Sequence, residues 1–118
     1  MPSNIVIVND DPAFLGELEA ALRATGDEVR SYPSVVSALV GLEEQPAPDL
    51  LITPMRFAPG GSNGVALGLM ARRRSPKIEV LFIGPPEFED DAADLGTFLA
   101  TPVGIPEILD AVARLRRS

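Results

Sequence analysis

Apolar residues along this chain form two alternating patterns. Short continuous apolar runs, bounded by Gly, Pro or polar residues, are typical of strands buried on both faces of a sheet. Longer segments between them carry apolar residues at a spacing of three or four, which is typical of helices. The predicted strands fall at residues 5–8, 29–32, 50–53, 78–83 and 97–100, and the second of them is short and has polar residues in its middle. The pattern therefore predicts a (βα)5 chain whose parallel sheet is covered by helices on both sides.

Local signals mark the ends of the first two helices. Pro12 suits a first helical turn, where its missing N–H would have no partner in any case. The apolar pattern then stops at Gly26, a residue typical of helix ends. Ser34 can cap the second helix, and the prolines within residues 45–48 end it. Each of these helices is therefore predicted to follow a strand directly.

The third helix has two candidate caps. Either Ser62 or Asn63 can accept hydrogen bonds from the first backbone N–H groups of the helix. The apolar spacing that follows predicts that Val65, Leu69 and Met70 face inward.

Acidic residues dominate the segment after the fourth strand. Residues 87–91 contain four acids, which interrupt the apolar spacing of a long helix. Over residues 87–94 we expect a short helix or an irregular segment, with solvated acids that complement a helix dipole. Residues 105–117 have Pro106 in the first turn and one apolar face, so they predict a final helix.

Composition narrows the chemistry. The 118 residues suit one domain, and the chain contains neither Cys nor His. Disulfides, thiolate metal sites, thiol nucleophiles and the usual general base are therefore excluded. The start has no leader pattern, and no apolar run approaches the roughly 18 residues of a membrane helix. We expect a single domain over residues 1–118 that is cytoplasmic, has no output domain and is not an enzyme.

The net charge is −7, which repels phosphate backbones, and neither nucleic acid nor a membrane is expected as a partner. Basic residues do cluster at residues 72–74 and 114–117. Both clusters fall where helices are predicted to end, and cations there interact favourably with the helix dipole. The clusters are therefore interpreted as helix ends rather than as a nucleic-acid patch.

Polar residues follow the first strand directly. Asn9, Asp10 and Asp11 stand at its carboxyl end. In open parallel sheets, ligands bind in the crevice beyond the carboxyl ends of the strands. These residues are therefore the first candidates for a functional site.

Several motifs together resemble the receiver (CheY-like) domains of response regulators. They are the strand, acids and Pro of residues 5–12, the stretch 48–52, the pair Asn63-Gly64, and residues 98–102. The resemblance implies a flavodoxin-like fold with strand order 2-1-3-4-5. It also implies signalling in which a histidine kinase donates a phosphoryl group to an Asp at the end of the third strand.

The position that matches this phosphoacceptor is Pro54. A carboxylate can attack phosphorus, whereas a pyrrolidine ring has no nucleophilic atom. The neighbouring Thr53 has a hydroxyl, but no His is present to activate it, and its side chain is expected to point to the opposite face. Catalytic residues are therefore predicted to be absent.

Other positions that match functional residues of the family are also changed. Gly84 stands for the hydroxyl residue that senses the phosphoryl group, and Thr101 stands for a Lys. Neither can supply the hydrogen bond or the positive charge of the original side chain. Phe98 matches the aromatic residue of the switch, and without its hydroxyl trigger we expect it to serve in packing.

The resemblance also bears on metal binding. Asn9 replaces the first acid of a metal-binding pair, which leaves Asp10 and Asp11 as a vestigial Mg²⁺ site. Mg²⁺ keeps its waters unless carboxylates and phosphate oxygens replace them, so weak binding at most is expected, and no cofactor. Arg56 can also close the site by pairing with Asp10.

Two stretches differ in length from the family. Residues 55–63 form a loop about two residues longer than usual, and residues 84–101 are several residues fewer. A shortened or irregular fourth helix is therefore predicted. We also expect a cis peptide bond between Thr101 and Pro102, since receivers of this kind keep one and cis costs only about 0.5 to 1 kcal/mol before Pro.

The leading hypothesis is an atypical receiver that acts as a phosphorylation-independent interaction module. Its partners would be signalling proteins in trans or a second copy bound through the fourth helix, fifth strand and fifth helix. The alternative hypothesis is a pseudo-receiver that binds a small ligand or a cation at Asn9, Asp10 and Asp11.

Overall fold

Strands and helices alternate along the computed structural model, which describes residues 3–44, 46–57 and 63–117. The strands are β1 Asn4–Val8, β2 Glu28–Tyr32, β3 Leu50–Pro54, β4 Glu79–Gly84 and β5 Thr97–Ala100. The helices are α1 Pro12–Ala24, α2 Val35–Leu42, α3 Gly64–Arg74, α4 Glu89–Ala92 and α5 Ile105–Arg117. A single 3-10 turn, Pro86–Phe88, precedes α4. The predicted order of elements is confirmed.

The five strands form one parallel sheet in the order β2-β1-β3-β4-β5. This order confirms the predicted flavodoxin-like fold. The three central strands β1, β3 and β4 are buried on both faces, which explains why their sequences are apolar almost throughout. Because the strands are parallel, their carboxyl ends meet at one edge of the sheet.

Helices cover the sheet in two layers. The first layer consists of α1 and α5, whose leucines and isoleucines pack on one face of the sheet. The second layer consists of α2, α3 and α4, which pack on the other face through Ala38, Leu42, Leu67, Ala71 and Ala92. Each layer therefore encloses its own apolar cluster.

Polar side chains cap the first three helices. Asp11 caps α1 by accepting two backbone N–H groups of its first turn, and Ser34 caps α2 by accepting one, from Ser37. Asn63 is the cap of α3, since its Oδ1 accepts hydrogen bonds from the N–H groups of Val65 and Ala66. The other candidate, Ser62, lies outside the described residues.

The prediction for the inward face of α3 was wrong in part. Val65 is half-buried against the second cluster, but Leu69 and Met70 are 49% and 44% exposed. The face that meets the sheet contains Leu67, Gly68 and Ala71. A Cβ atom at Gly68 would lie 2.9 Å from the ring of Phe82 in β4, so the helix backbone rests on that ring. The helix backbone can approach the ring closely on the side that contains Gly68 and Ala71, so this side faces the sheet and Leu69 and Met70 face outward.

The segment after β4 is as short as predicted. It consists of the 3-10 turn and the four-residue α4, whose first turn carries Glu89, Asp90 and Asp91. The peptide bond between Thr101 and Pro102 is cis, the isomer that the resemblance implied. The middle of the predicted long loop, residues 58–62, lies outside the described residues. No helix among the described residues is long and apolar enough to cross a membrane.

Candidate functional site

A cleft of about 520 Å³ opens at the carboxyl edge of the sheet. It lies where β1, β3 and β4 end and where the chain leaves β5. Its walls are largely apolar, with a few polar groups at the border. The lining residues are Asn9, Asp11, Phe14, Pro54, Arg56, Ile83, Gly84, Pro85, Phe88, Thr101, Pro102 and Val103. The structure therefore brings together the ends of all the strands that the sequence singled out.

Two of the polar residues after β1, Asn9 and Asp11, are engaged in local structure. Asn9 Oδ1 accepts a hydrogen bond from the Asp11 N–H at 2.8 Å. Asp11 Oδ1 in turn accepts the N–H groups of Ala13 at 3.0 Å and Phe14 at 3.3 Å, as the cap of α1. Asp10 is exposed and does not line the cleft. Asn9 and Asp11 therefore hold the start of α1.

This arrangement does not fit a magnesium ion. The oxygen of Asn9 and one oxygen of Asp11 already accept backbone hydrogen bonds, and Asp10 lies outside the cleft. Within the described parts of the chain, no three acids lie close enough together to hold a metal ion. Mg²⁺ requires several oxygen ligands in a near-octahedral arrangement, which these side chains do not offer.

Pro54 is the last residue of β3 and faces the cleft. It pairs in register with Ile83 of β4, and α3 begins close beside it. A Cβ atom at Gly64 would lie 1.8 Å from the Pro54 carbonyl oxygen, so only Gly allows this approach. The Gly64 N–H donates to the Met55 carbonyl at 2.9 Å. The backbone around Pro54 is thus fixed by contacts on two sides.

Thr53 does not supply a replacement nucleophile. Its side chain is completely buried and does not line the cleft. Its hydroxyl donates to the carbonyl of Pro54 at 3.1 Å. The hydroxyl is therefore outside the reach of any reactant in the cleft, as alternation along the strand predicts.

Met55 occupies the space beside Gly84. A Cβ atom at Gly84 would lie 2.7 Å from Met55 Cγ and 2.9 Å from Met55 Cβ, and Met55 is buried. The Gly84 carbonyl accepts the N–H of Thr101 at 2.8 Å, which places the Thr101 side chain at the border of the cleft. Where the family carries a hydroxyl, this chain therefore has a thioether packed against a glycine.

Arg56 does not pair with Asp10. Its guanidinium carbon lies 4.8 Å from the centre of the Phe88 ring, in a cation–π contact at the border of the cleft. Arg56 is also bridged to Asn63 through the backbone, which ties the residues after β3 to the start of α3. Arg56 therefore contacts the segment after β4 and does not close the site through an ion pair with Asp10.

Phe98 lies on β5 opposite Phe82 and packs, half-buried, against the second apolar cluster. It does not line the cleft. Sequence reasoning missed Phe14, Met55 and Phe88 as neighbours of the site. Phe88 stands out only as an apolar residue within an acidic stretch, and nothing in the local sequence indicates its contact with Arg56.

No protein-family model matches this chain, and no curated protein matches its sequence. Solved structures do match. They include a response regulator receiver protein from Sinorhizobium medicae, 22% identical, with a TM-score of 0.85 over 99% of this chain and 96% of that one. A CheY-like receiver domain protein from Methanospirillum hungatei is 20% identical, with a TM-score of 0.84 over 99% and 96%.

A structure described as adenylate cyclase from Rhodopirellula baltica is also similar. It is 22% identical, with a TM-score of 0.88 over 99% of this chain and 89% of that one. At such identities the likeness is evidence for the fold. The chain has the flavodoxin-like fold of CheY-like receiver domains.

Proposed function

We propose that this protein is a degenerate receiver domain that acts in signal transduction as a phosphorylation-independent interaction module. The observation that carries the proposal is the position of Pro54. It ends the central strand β3 and faces the cleft in which a receiver would present its acceptor carboxylate. Because proline has no nucleophilic side-chain atom, this position cannot form an acyl phosphate.

Three further features of the cleft support the proposal. Met55 fills the space beside Gly84, Thr101 carries no positive charge, and Asp11 is held as a helix cap. At the positions that a receiver uses, a phosphoryl group in this cleft would lack a hydroxyl at residue 84, a lysine at residue 101 and free carboxylate ligands for a metal ion. The changes all act in the same direction, since each removes a group that interacts with phosphate.

A module of this kind works through its surface. The contacts around Pro54 and Gly84 hold the carboxyl edge of the sheet in one arrangement, and Phe98 packs against the apolar cluster. Any switching would require a partner that binds two conformations with unequal affinity. We infer association with signalling proteins in trans, in the cytoplasm, without catalysis by this domain.

The test is direct phosphorylation. The protein is incubated with acetyl phosphate and Mg²⁺ and its intact mass is measured, with a phosphorylatable receiver in the same mixture as the positive control. We expect no change in mass while the control gains one phosphoryl group. A stoichiometric gain by this protein, mapped to any residue of the cleft, would contradict the proposal.

The dimensions of the cleft favour a second candidate function, the binding of a small ligand. Its volume is in the range of ligand sites, and Phe14, Pro54 and Ile83 give it apolar walls. Arg56 is exposed at its border and can meet an anionic or polar group. The ligand would therefore be an apolar molecule with one acidic substituent. The cation version of this hypothesis lacks support, because the strand-end acids are directed to backbone groups or lie outside the cleft.

An NMR titration separates the two candidates. Small aromatic carboxylates are added as probes, and backbone amide shifts are followed around Phe14, Arg56 and Val103. Saturable shifts confined to these residues, lost in Arg56→Gln, would favour the ligand site. The absence of saturable shifts for every probe would leave the interaction module as the function that the cleft supports.

A further inference from the structure

The large hydrophobic residues that are most exposed among the described residues all lie on two adjacent helices. Val36 and Val40 of α2 are 75% and 59% exposed, and Leu69 and Met70 of α3 are 49% and 44% exposed. These four residues are called the α2–α3 apolar face below. Exposed apolar residues scattered singly need no explanation, but their concentration on one pair of helices indicates a surface that is covered in the working assembly.

The composition of α2 supports the same conclusion. Its eight residues, VVSALVGL, contain no charged side chain. A surface helix normally carries charged or polar residues on the side away from the core, and a helix that is apolar all round is normally buried. In this structure only the side of α2 that contains Ala38, Gly41 and Leu42 is buried. The opposite side has the composition of a buried surface and is exposed in the single chain.

Charged residues border one end of this face. A groove of about 440 Å³ between α2 and α3 is lined by Leu39, Val40, Glu43, Met70, Arg73 and Arg74. Arg74 pairs with Glu43 across the groove, and both side chains are about half exposed. Arg73 also lines the groove and has no ion pair among the described residues. The border thus presents an accessible carboxylate and an unpaired guanidinium side by side.

We propose that the α2–α3 apolar face is the interface of a twofold-symmetric dimer of this chain. Both helices follow parallel strands and lead back to the start of the next, so they run in the same direction. The Arg74–Glu43 pair sets Glu43 of α2 level with the end of α3. In this dimer the twofold axis runs parallel to the helices and passes over the outer surface between α2 and α3. It places α2 of one copy on α3 of the other.

This arrangement is self-complementary. Val36 and Val40 of one copy meet Leu69 and Met70 of the second copy, and the two apolar surfaces cover each other. Arg73 of one copy meets Glu43 of the other, and the symmetry axis repeats each contact. The match between an unpaired cation and an accessible carboxylate on the same surface favours a second copy as the occupant.

The proposed interface lies apart from the face expected from the sequence. In that region, Leu95 between α4 and β5 and Phe98 and Leu99 of β5 are half-buried against the clusters of their own chain. The inference also stands independently of the proposed function, since it involves no residue of the cleft. A dimer would be consistent with either the presence or the absence of phosphorylation.

Sedimentation velocity of the full chain over a range of concentrations tests the proposal. We expect the wild-type protein to shift from monomer to dimer as its concentration rises. Val40→Glu places one carboxylate from each copy inside the apolar contact, and it should weaken dimerisation at least about tenfold. Ala20→Glu is the matched control, because Ala20 is an exposed residue of α1 in the other helix layer. It should dimerise like the wild type.

A charge exchange tests the orientation of the two copies. Arg73→Glu sets two carboxylates against each other and should weaken the dimer, as should Glu43→Arg. If residues 73 and 43 meet between copies, the double variant restores opposite charges at that contact and should recover much of the wild-type affinity. Lys77→Glu is the control for net charge, since Lys77 is exposed and does not line the groove.

Several results would overturn the proposal. A wild-type protein that stays monomeric at every concentration would leave the apolar face to a different protein or to solvent. A dimer unaffected by Val40→Glu would place the interface elsewhere. Circular dichroism of each variant shows whether it is folded, and a folded double variant that dimerises no better than the singles would exclude this arrangement of the two copies.

Discussion

The two helix layers cover the same sheet in different ways. In the first layer, Leu15, Leu18 and Leu22 of α1 and Ile108 of α5 point into the core, and none of the four large exposed apolar residues belongs to it. In the second layer, small residues such as Ala38, Gly68 and Ala71 meet the sheet, while valines, a leucine and a methionine face outward.

The ion pairs that join different elements repeat the contrast. In the first layer, Arg116 of α5 pairs with Asp27, which is buried between α1 and β2 and also accepts the hydroxyl of Thr25. In the second layer, Arg74 pairs with Glu43 at the exposed border of the groove. A pair in solvent contributes little to stability, whereas breaking a buried pair leaves an uncompensated charge. The first layer thus contains a buried pair that stabilises the fold, whereas the pair of the second layer lies at the surface, as its large apolar residues do.

The largest expected effect comes from creating a cavity in the first layer. Leu18→Ala removes a side chain that is almost fully buried between α1 and the sheet. We expect the free energy of unfolding to fall by about 2 to 5 kcal/mol, from lost apolar burial and the cavity left behind. Urea denaturation measures the change. A loss well below 1 kcal/mol would contradict the assignment of this layer to stability.

A pair of glycine substitutions compares the helix faces directly. Gly68→Ala in α3 places a methyl group 2.9 Å from the buried ring of Phe82, and we expect it to destabilise the protein by roughly 1 to 3 kcal/mol. Gly16→Ala in α1 meets no atom within 4 Å and should stabilise by roughly 0.5 to 1 kcal/mol. Thermal unfolding of both variants provides the measurement. Equal shifts in both variants would remove the steric explanation for the orientation of α3.

The helix caps are expected to behave alike in the two layers. Asp11→Ala removes the acceptor of two N–H groups in α1, and Asn63→Ala does the same in α3. Each should reduce the free energy of unfolding by about 1 kcal/mol. A much larger loss for Asp11→Ala, measured in urea, would indicate that its carboxylate makes stabilising contacts beyond the cap.

The smallest effect is expected on the outer side of the second layer. Leu69→Gln replaces an apolar side chain that is about half exposed. At concentrations where the protein is monomeric, we expect the free energy of unfolding to change by no more than about 0.5 kcal/mol. Chemical denaturation of dilute protein measures this. A loss comparable to that of Leu18→Ala would mean that Leu69 packs in the core.

The course of the chain was largely readable from the sequence. Nearly continuous apolar runs predicted the central strands, and Asp11, Ser34 and Asn63 cap helices where their sequence context predicted starts. The place of Pro54 at the end of β3 was also evident from the sequence, because the end of a strand depends on residues within a few positions of it. The reason is that helix spacing, capping and strand burial are local properties of the backbone.

Contacts between distant parts of the chain were decided only by the tertiary structure. Gly68 meets Phe82, Met55 fills the space beside Gly84, and Arg56 lies over Phe88, each pair joining different elements. The spacing of apolar residues on α3 favoured Leu69 and Met70 as its inner face. Steric fit against an aromatic ring on a neighbouring strand chose the opposite face, because the helix packs where its backbone can approach most closely.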